Sequence, residues 1–147
     1  MTATCHCESC QKFGQYLATL DGAPAVLDED SGTPFILYRK DRVTCMRGGH
    51  ALREHRLMPD SPTRRMIAAC CGAPMVLDFT KGHWLTLYKD RLPLAEQPPA
   101  EMRVMTGKRT AGAADAIPGY PGYPGRFMWR LISAWASMGF RKPKPNF

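Results

Sequence analysis

A mainly β fold closed by a C-terminal helix is predicted by three observations. Strand-like runs recur about every ten residues. The chain is punctuated by 13 Gly and 13 Pro in 147 residues, more than a helical bundle tolerates. One late segment switches to a helical period. The strand signals are Pro34 to Arg39, Arg42 to Met46, Leu52 to Leu57, Arg64 to Ala69, Met75 to Phe79 and Trp84 to Tyr88. Turn-forming Gly, Pro or Asp stands between them, as in a meandering antiparallel sheet.

Other segments fill in the organisation. Asp28-Glu29-Asp30-Ser31-Gly32-Thr33 is a turn by composition. After Cys10, the residues Phe13, Tyr16, Leu17 and Leu20 fall at helical spacing and predict a short helix over 11–20. Residues 1–92 form the β domain and 93–125 a Pro/Gly-rich linker. In the linker, Pro118-Gly119-Tyr120-Pro121-Gly122-Tyr123-Pro124-Gly125 repeats Pro-Gly-Tyr and suits turns or an extended strip over a surface. Residues 126–147 hold an amphipathic helix and a basic tail. Phe127, Leu131, Trp135 and Met138 line one face of that helix, whose expected destination is the domain's own sheet. The tail Arg141 to Phe147 is too proline-rich for helix.

No apolar run reaches the roughly 18 residues a membrane helix needs, and the first residues lack a basic-then-apolar secretory pattern. The chain therefore reads as soluble and cytoplasmic, where thiols stay reduced and cysteine clusters serve metals or thiol chemistry rather than disulfides. The net charge of +7 is uneven. Residues 1–88 carry ten Lys/Arg against nine Asp/Glu, and residues 89–147 carry ten against four. Because the late charges are scattered, they read as a solvated surface, and nucleic acid is not an expected partner.

Five of the six cysteines fall in two groups. Cys5, Cys7 and Cys10 have the spacing of a metal knuckle, and zinc takes about four soft ligands in a tetrahedron. The vicinal pair Cys70-Cys71 runs into the turn Gly72-Ala73-Pro74, and a hairpin tip can carry a fourth thiolate. Adjacent strand residues point to opposite faces, so only one of the pair can join. Cys71 is the expected ligand, with Cys70 packed as a small hydrophobe. Cys45 reads as a core residue. His6, between two ligand candidates, points away from the metal and suits a substrate contact; His50, His55 and His83 read as surface or packing residues. Arg65 is placed to hold an anionic substrate group by forked hydrogen bonds.

The run Cys5-His6-Cys7-Glu8-Ser9-Cys10-Gln11-Lys12-Phe13-Gly14, with Arg65-Met66-Ile67-Ala68-Ala69-Cys70-Cys71-Gly72-Ala73-Pro74 further on, resembles the glutathione-dependent formaldehyde-activating enzyme and centromere protein V family over roughly residues 5–90. The resemblance implies a β-tent of small coiled antiparallel sheets around zinc, with carbon–sulfur lyase chemistry on adducts of a thiol such as glutathione. Two departures stand out. The family's earlier Cys-x-Cys strand has no counterpart in the four residues before Cys5, and Ala68 replaces the first cysteine of the family's Cys-x-x-Cys-Gly. The usual structural zinc site is thereby dismantled, and the Cys5-Cys7-Cys10 site remains. Missing strands would leave a bare sheet edge, which invites a homodimer or cover from the C-terminal helix. Two functions follow: a zinc enzyme whose fourth position takes a thiol, or a non-catalytic zinc-stabilised binding module closed by Cys71.

Overall fold

The computed structural model describes residues 1–110 and 116–147; residues 111–115, part of the expected linker, lie outside the description. Seven strands form one sheet: β1 (Thr2–Cys5), β2 (Thr33–Arg39), β3 (Leu52–His55), β4 (Thr63–Ala68), β5 (Pro74–Phe79), β6 (Trp84–Tyr88) and β7 (Arg103–Val104). Two α-helices, α1 (Glu8–Leu17) and α2 (Gly125–Ala136), complete the regular structure. The strand order is β3-β4-β5-β6-β2-β1-β7. From β3 to β6 the sheet is the expected meander, and β6 then pairs antiparallel with β2. The fold is mainly β with a C-terminal helix.

The largest difference from the sequence reading is at the start of the chain. Residues 2–5 form an interior strand, antiparallel to β2 and parallel to β7, and all four are buried. Its run is too short to give a periodic signal, although the two β-branched threonines suit a strand. The free edge expected next to Cys5 is therefore covered within the chain. Beyond β7 the Pro-Gly-Tyr strip continues the cover: Arg103 N–H donates to Pro118 O at 2.8 Å and Tyr120 N–H to Arg103 O at 2.9 Å.

A second correction concerns Arg42 to Met46, which is no strand. Lys40 is 4% exposed and ends β2, its Nζ lying 2.7 Å from Asp78 Oδ1 and donating to Gly82 O at 2.8 Å. Anchoring this ammonium inward turns the chain through a single 3-10 turn at Lys40–Arg42. Cys45 consequently lies half-buried in a loop rather than in a core strand. The C-terminal tail packs nearby without helix, as its prolines require. Asn146 Oδ1 accepts from Cys45 N–H at 2.9 Å, and the Arg64 guanidinium lies 5.5 Å from the Phe147 ring centre.

Helix α2 docks on the sheet. Phe127 and Leu131 belong to the same buried cluster as Cys5, Cys10, Phe13 and Tyr88. Further along the helix, His83 Nε2 meets Leu131 O at 2.8 Å and the His83 ring stacks on Trp135 with centres 5.6 Å apart. Arg39 donates to Ser137 Oγ at 2.7 Å, and Glu101 pairs with Arg126 and Arg130. Among the described residues no helix is long and apolar enough to cross a membrane.

His83 couples this docking to pH. Burial lowers its pKa below the usual 6.5, so the unfolded chain takes up a proton at higher pH than the folded one. Stability is then present above about 6.5 and declines as pH falls toward the folded pKa. His6 and His55 are shifted down by burial as well and act in the same direction. Urea unfolding between pH 7.5 and 5 is expected to show stability falling with pH, with a shallower slope in His83→Gln. An unchanged slope in that variant would remove His83 from the coupling.

Candidate metal centre

Strand β1 and helix α1 meet at the cysteines, and the backbone dictates how. β1 stays hydrogen-bonded to β7 past its last residue, with Thr4 N–H donating to Met102 O and His6 N–H to Val104 O, both at 3.0 Å. This extended backbone sends Cys5 and Cys7 to one side and His6 to the other. Cys7 keeps an extended conformation (φ −67°, ψ 153°) as the residue that caps α1. Its carbonyl accepts from Cys10 N–H at 3.0 Å, which starts the helix at Glu8, three residues earlier than expected. Cys10 thus lies in the first turn of α1, three residues on from Cys7 and on the same face. Glu8, favourable near a helix N-terminus, forms an ion pair with Lys12 at 2.8 Å.

The three thiol sulfurs lie within 4.8 Å of one another, and Cys7 Sγ and Cys10 Sγ are 3.3 Å apart. A tetrahedral zinc with Zn–S near ~2.3 Å sets its sulfurs roughly 3.8 Å apart, a separation between these two figures. The donor set is soft, closely spaced and able to hold a metal ion. Cys5 and Cys10 are buried and Cys7 half-buried. Contact among the thiols separates their acidities. Hydrogen bonds from Cys10 and Cys5 push the Cys7 pKa down, while its contacts with Cys5 and Cys7, and burial, push Cys10 up. Cys7 is thereby the most acidic of the three, and a metal cation would replace the protons of the thiols it binds.

Arg65 lies under this cluster. It reaches from the middle of β4, is 1% exposed, and donates through Nη2 to Ser9 Oγ at 2.7 Å and Ser9 O at 3.2 Å. Its guanidinium carbon is 4.7 Å from the Phe13 ring centre. Nε and Nη1 are buried without a hydrogen-bond partner, and no carboxylate among the described residues pairs with it. A buried cation so placed is costly unless an anion is near, and Arg65 shares the wall of one cavity with the three cysteines. Tyr88 is buried beside both, its pKa pushed up by burial, opposed by Arg65 and reinforced by Cys10.

The cluster opens onto a cavity of about 450 Å³ between the sheet and α2. Cys5, Cys7, Cys10 and Arg65 line it together with Tyr123 and Phe127. Tyr123 belongs to the Pro-Gly-Tyr strip, stacks on Phe127 at 4.9 Å, and has its pKa raised by burial and by the three cysteines. Ser9, Tyr88 and Tyr123 were not singled out by the sequence; only the unusual repeat pointed toward Tyr123.

Two expected site residues lie elsewhere. Cys71 is exposed beside Cys70, 3.6 Å away sulfur to sulfur, at the turn between β4 and β5, and is not part of the cluster. Gly72, with φ +68°, makes this turn and leaves both thiols outward, so Cys70 is not packed inside either. His6 does point away from the cysteines, but it is fully buried and does not line the cavity. Its ring faces Asp30, with Nδ1 4.0 Å from Oδ1. A Cβ at Gly32 would stand 2.6 Å from His6 Cε1, so glycine is required for the turn to close over the ring.

No family description matches the chain, and no curated protein matches it.

Exposure orders the thiols. In the native protein, iodoacetamide is expected to alkylate Cys70 and Cys71 well ahead of Cys5 and Cys10, as read by peptide mass mapping. Added zinc should protect Cys5, Cys7 and Cys10 and leave Cys70 and Cys71 reactive. Protection of Cys71 by zinc would place it in the cluster after all.

Proposed function

We propose that this protein is a zinc-binding protein of the formaldehyde-activating, β-tent type, in which Cys5, Cys7 and Cys10 hold the ion and a small thiol takes the fourth position. The observation that carries this reading is the convergence of three sulfurs, with no fourth among the described residues, on the wall of a cavity. Zinc bound by three protein ligands lowers the pKa of a thiol at its open position and supplies Lewis acidity. The chain's own residues supply the rest. Three thiolates with Zn²⁺ would carry one net negative charge, and Arg65, a buried cation lining the same cavity, is of the sign to offset it and so to disfavour protonation of the thiolates. Tyr123, which lines the cavity and is protonated at neutral pH like any tyrosine, is a hydroxyl available to hydrogen-bond an aldehyde oxygen there.

The chemistry that suits this set is reversible carbon–sulfur bond formation between a thiol and an aldehyde. The sulfur–carbon bond forms, the carbonyl π bond breaks, and the thiol proton ends on the new hydroxyl; cleavage runs in reverse. This makes the protein a candidate carbon–sulfur lyase.

The second reading, a zinc-stabilised binding module, has one feature in its favour. Trp129 and Ile132 on the outer side of α2 are 69% and 48% exposed. In that case zinc would be structural and indifferent to thiols.

The readings separate by calorimetric titration of the zinc-loaded protein with 2-mercaptoethanol. Saturable binding is expected in the wild type and in Cys71→Ser, with zinc near one per chain in both. Cys7→Ser should lose both zinc and thiol binding. Full zinc content without any thiol binding would leave the structural reading.

A further inference from the structure

The cavity beside the cysteines differs in character from a binding site for a charged peptide thiol. Apart from Arg65 and the three cysteines, every residue lining it is uncharged, its polar groups being the hydroxyls of Ser9, Thr63, Thr86 and Tyr123, and its apolar walls are Leu37, Leu77, Phe79 and Trp84 from the sheet with Met128 and Leu131 from α2. Leu37, Leu77, Phe79 and Trp84 are only partly buried, so large apolar surfaces face this space without a protein neighbour to cover them. Glutathione carries two carboxylates and an ammonium group. Arg65 could meet one carboxylate at most, and it already donates to Ser9; the cavity offers no carboxylate for the ammonium. Burying unpaired charges against such walls is strongly unfavourable. Apolar groups gain there instead, at about threefold to fourfold in affinity for each methylene removed from water.

We propose that the cavity takes a hydrophobic thiol or its aldehyde adduct: a single thiol head directed to the cysteine cluster and an alkyl or aryl body lying between α2 and the sheet. This inference rests on the thiol-binding reading above and narrows it to a substrate class. Beyond the cysteine cluster Arg65 is then the only charged side chain the ligand meets, matched to a thiolate head in a chamber whose other polar groups are hydroxyls. The size is appropriate, since about 450 Å³ falls in the range of small-molecule sites, which are largely apolar with a few polar groups fixing orientation. Met128, which lines the cavity and is 44% exposed, would control how readily the body enters.

The test is a titration of the zinc-loaded full chain with 1-propanethiol, 1-butanethiol, 1-hexanethiol and glutathione, followed by calorimetry and by tryptophan fluorescence, since Trp84 lines the cavity. Affinity should rise about tenfold or more from propanethiol to hexanethiol, with glutathione weaker than propanethiol. Met128→Glu should weaken hexanethiol binding about tenfold while zinc content stays at the wild-type level. Glutathione binding as tightly as hexanethiol, or no dependence on chain length, overturns the substrate class and leaves the thiol site standing. Failure of all four thiols to bind a protein that retains its zinc overturns the thiol site itself.

Discussion

Strand β1 is hydrogen-bonded on both edges, to β2 and to β7, and this double pairing fixes the direction of each side chain from Thr2 to Cys7. An extended strand held on both sides cannot rotate, so Ala3, Cys5 and Cys7 face the cavity and Thr2, Thr4 and His6 face away. Because Cys7 keeps this backbone and also caps α1, the helix starts in one orientation only. Cys10 then joins the two thiols with no adjustment of its own. The order of the cluster is a property of the sheet, and β7 together with the Pro-Gly-Tyr strip is what makes β1 an interior strand.

Charge distribution follows from that placement. Three thiols brought together under cover separate in acidity, with Cys7 shifted down and Cys10 up, and β4 brings a buried cation, Arg65, to the wall of the same cavity. Arg65 is held by Ser9, the residue between the second and third cysteines, and by the face of Phe13 on the next turn of α1. The same helix therefore carries Cys10, positions the guanidinium and packs into the core through Phe13 and Leu17. On the far side of the sheet His6 and Asp30 form a separate polar group with Arg103 and Arg109. That group closes the 28–33 turn and has no access to the cavity.

Much of this was legible in the sequence, for identifiable reasons. β2, β4, β5 and β6 are long enough to show alternation between turn residues, and α2 has a full apolar face, so both element types could be read directly. Cys5, Cys7 and Cys10 were readable because their spacing alone brings them together. β1 and β7 were not, having four and two residues, too few for a period. Arg42 to Met46 looked like a strand because Val43 and Cys45 alternate with polar residues, but the buried ion pair of Lys40 with Asp78 turns the chain just before them. Cys71 was drawn toward the metal by its hairpin, but a left-handed glycine directs the hairpin's thiols outward. Its distance from β1 depends on strand order, which no local pattern encodes.

The central physical claim is that three cysteines form a metal site open at its fourth position. X-ray absorption at the zinc edge of the reconstituted protein, free of added thiol, tests this directly. Three sulfur neighbours near ~2.3 Å and one lighter atom near ~2.0 Å are expected, with the lighter atom replaced by sulfur when a thiol is added. Four sulfurs in the thiol-free protein, falling to three in Cys71→Ser, would contradict it.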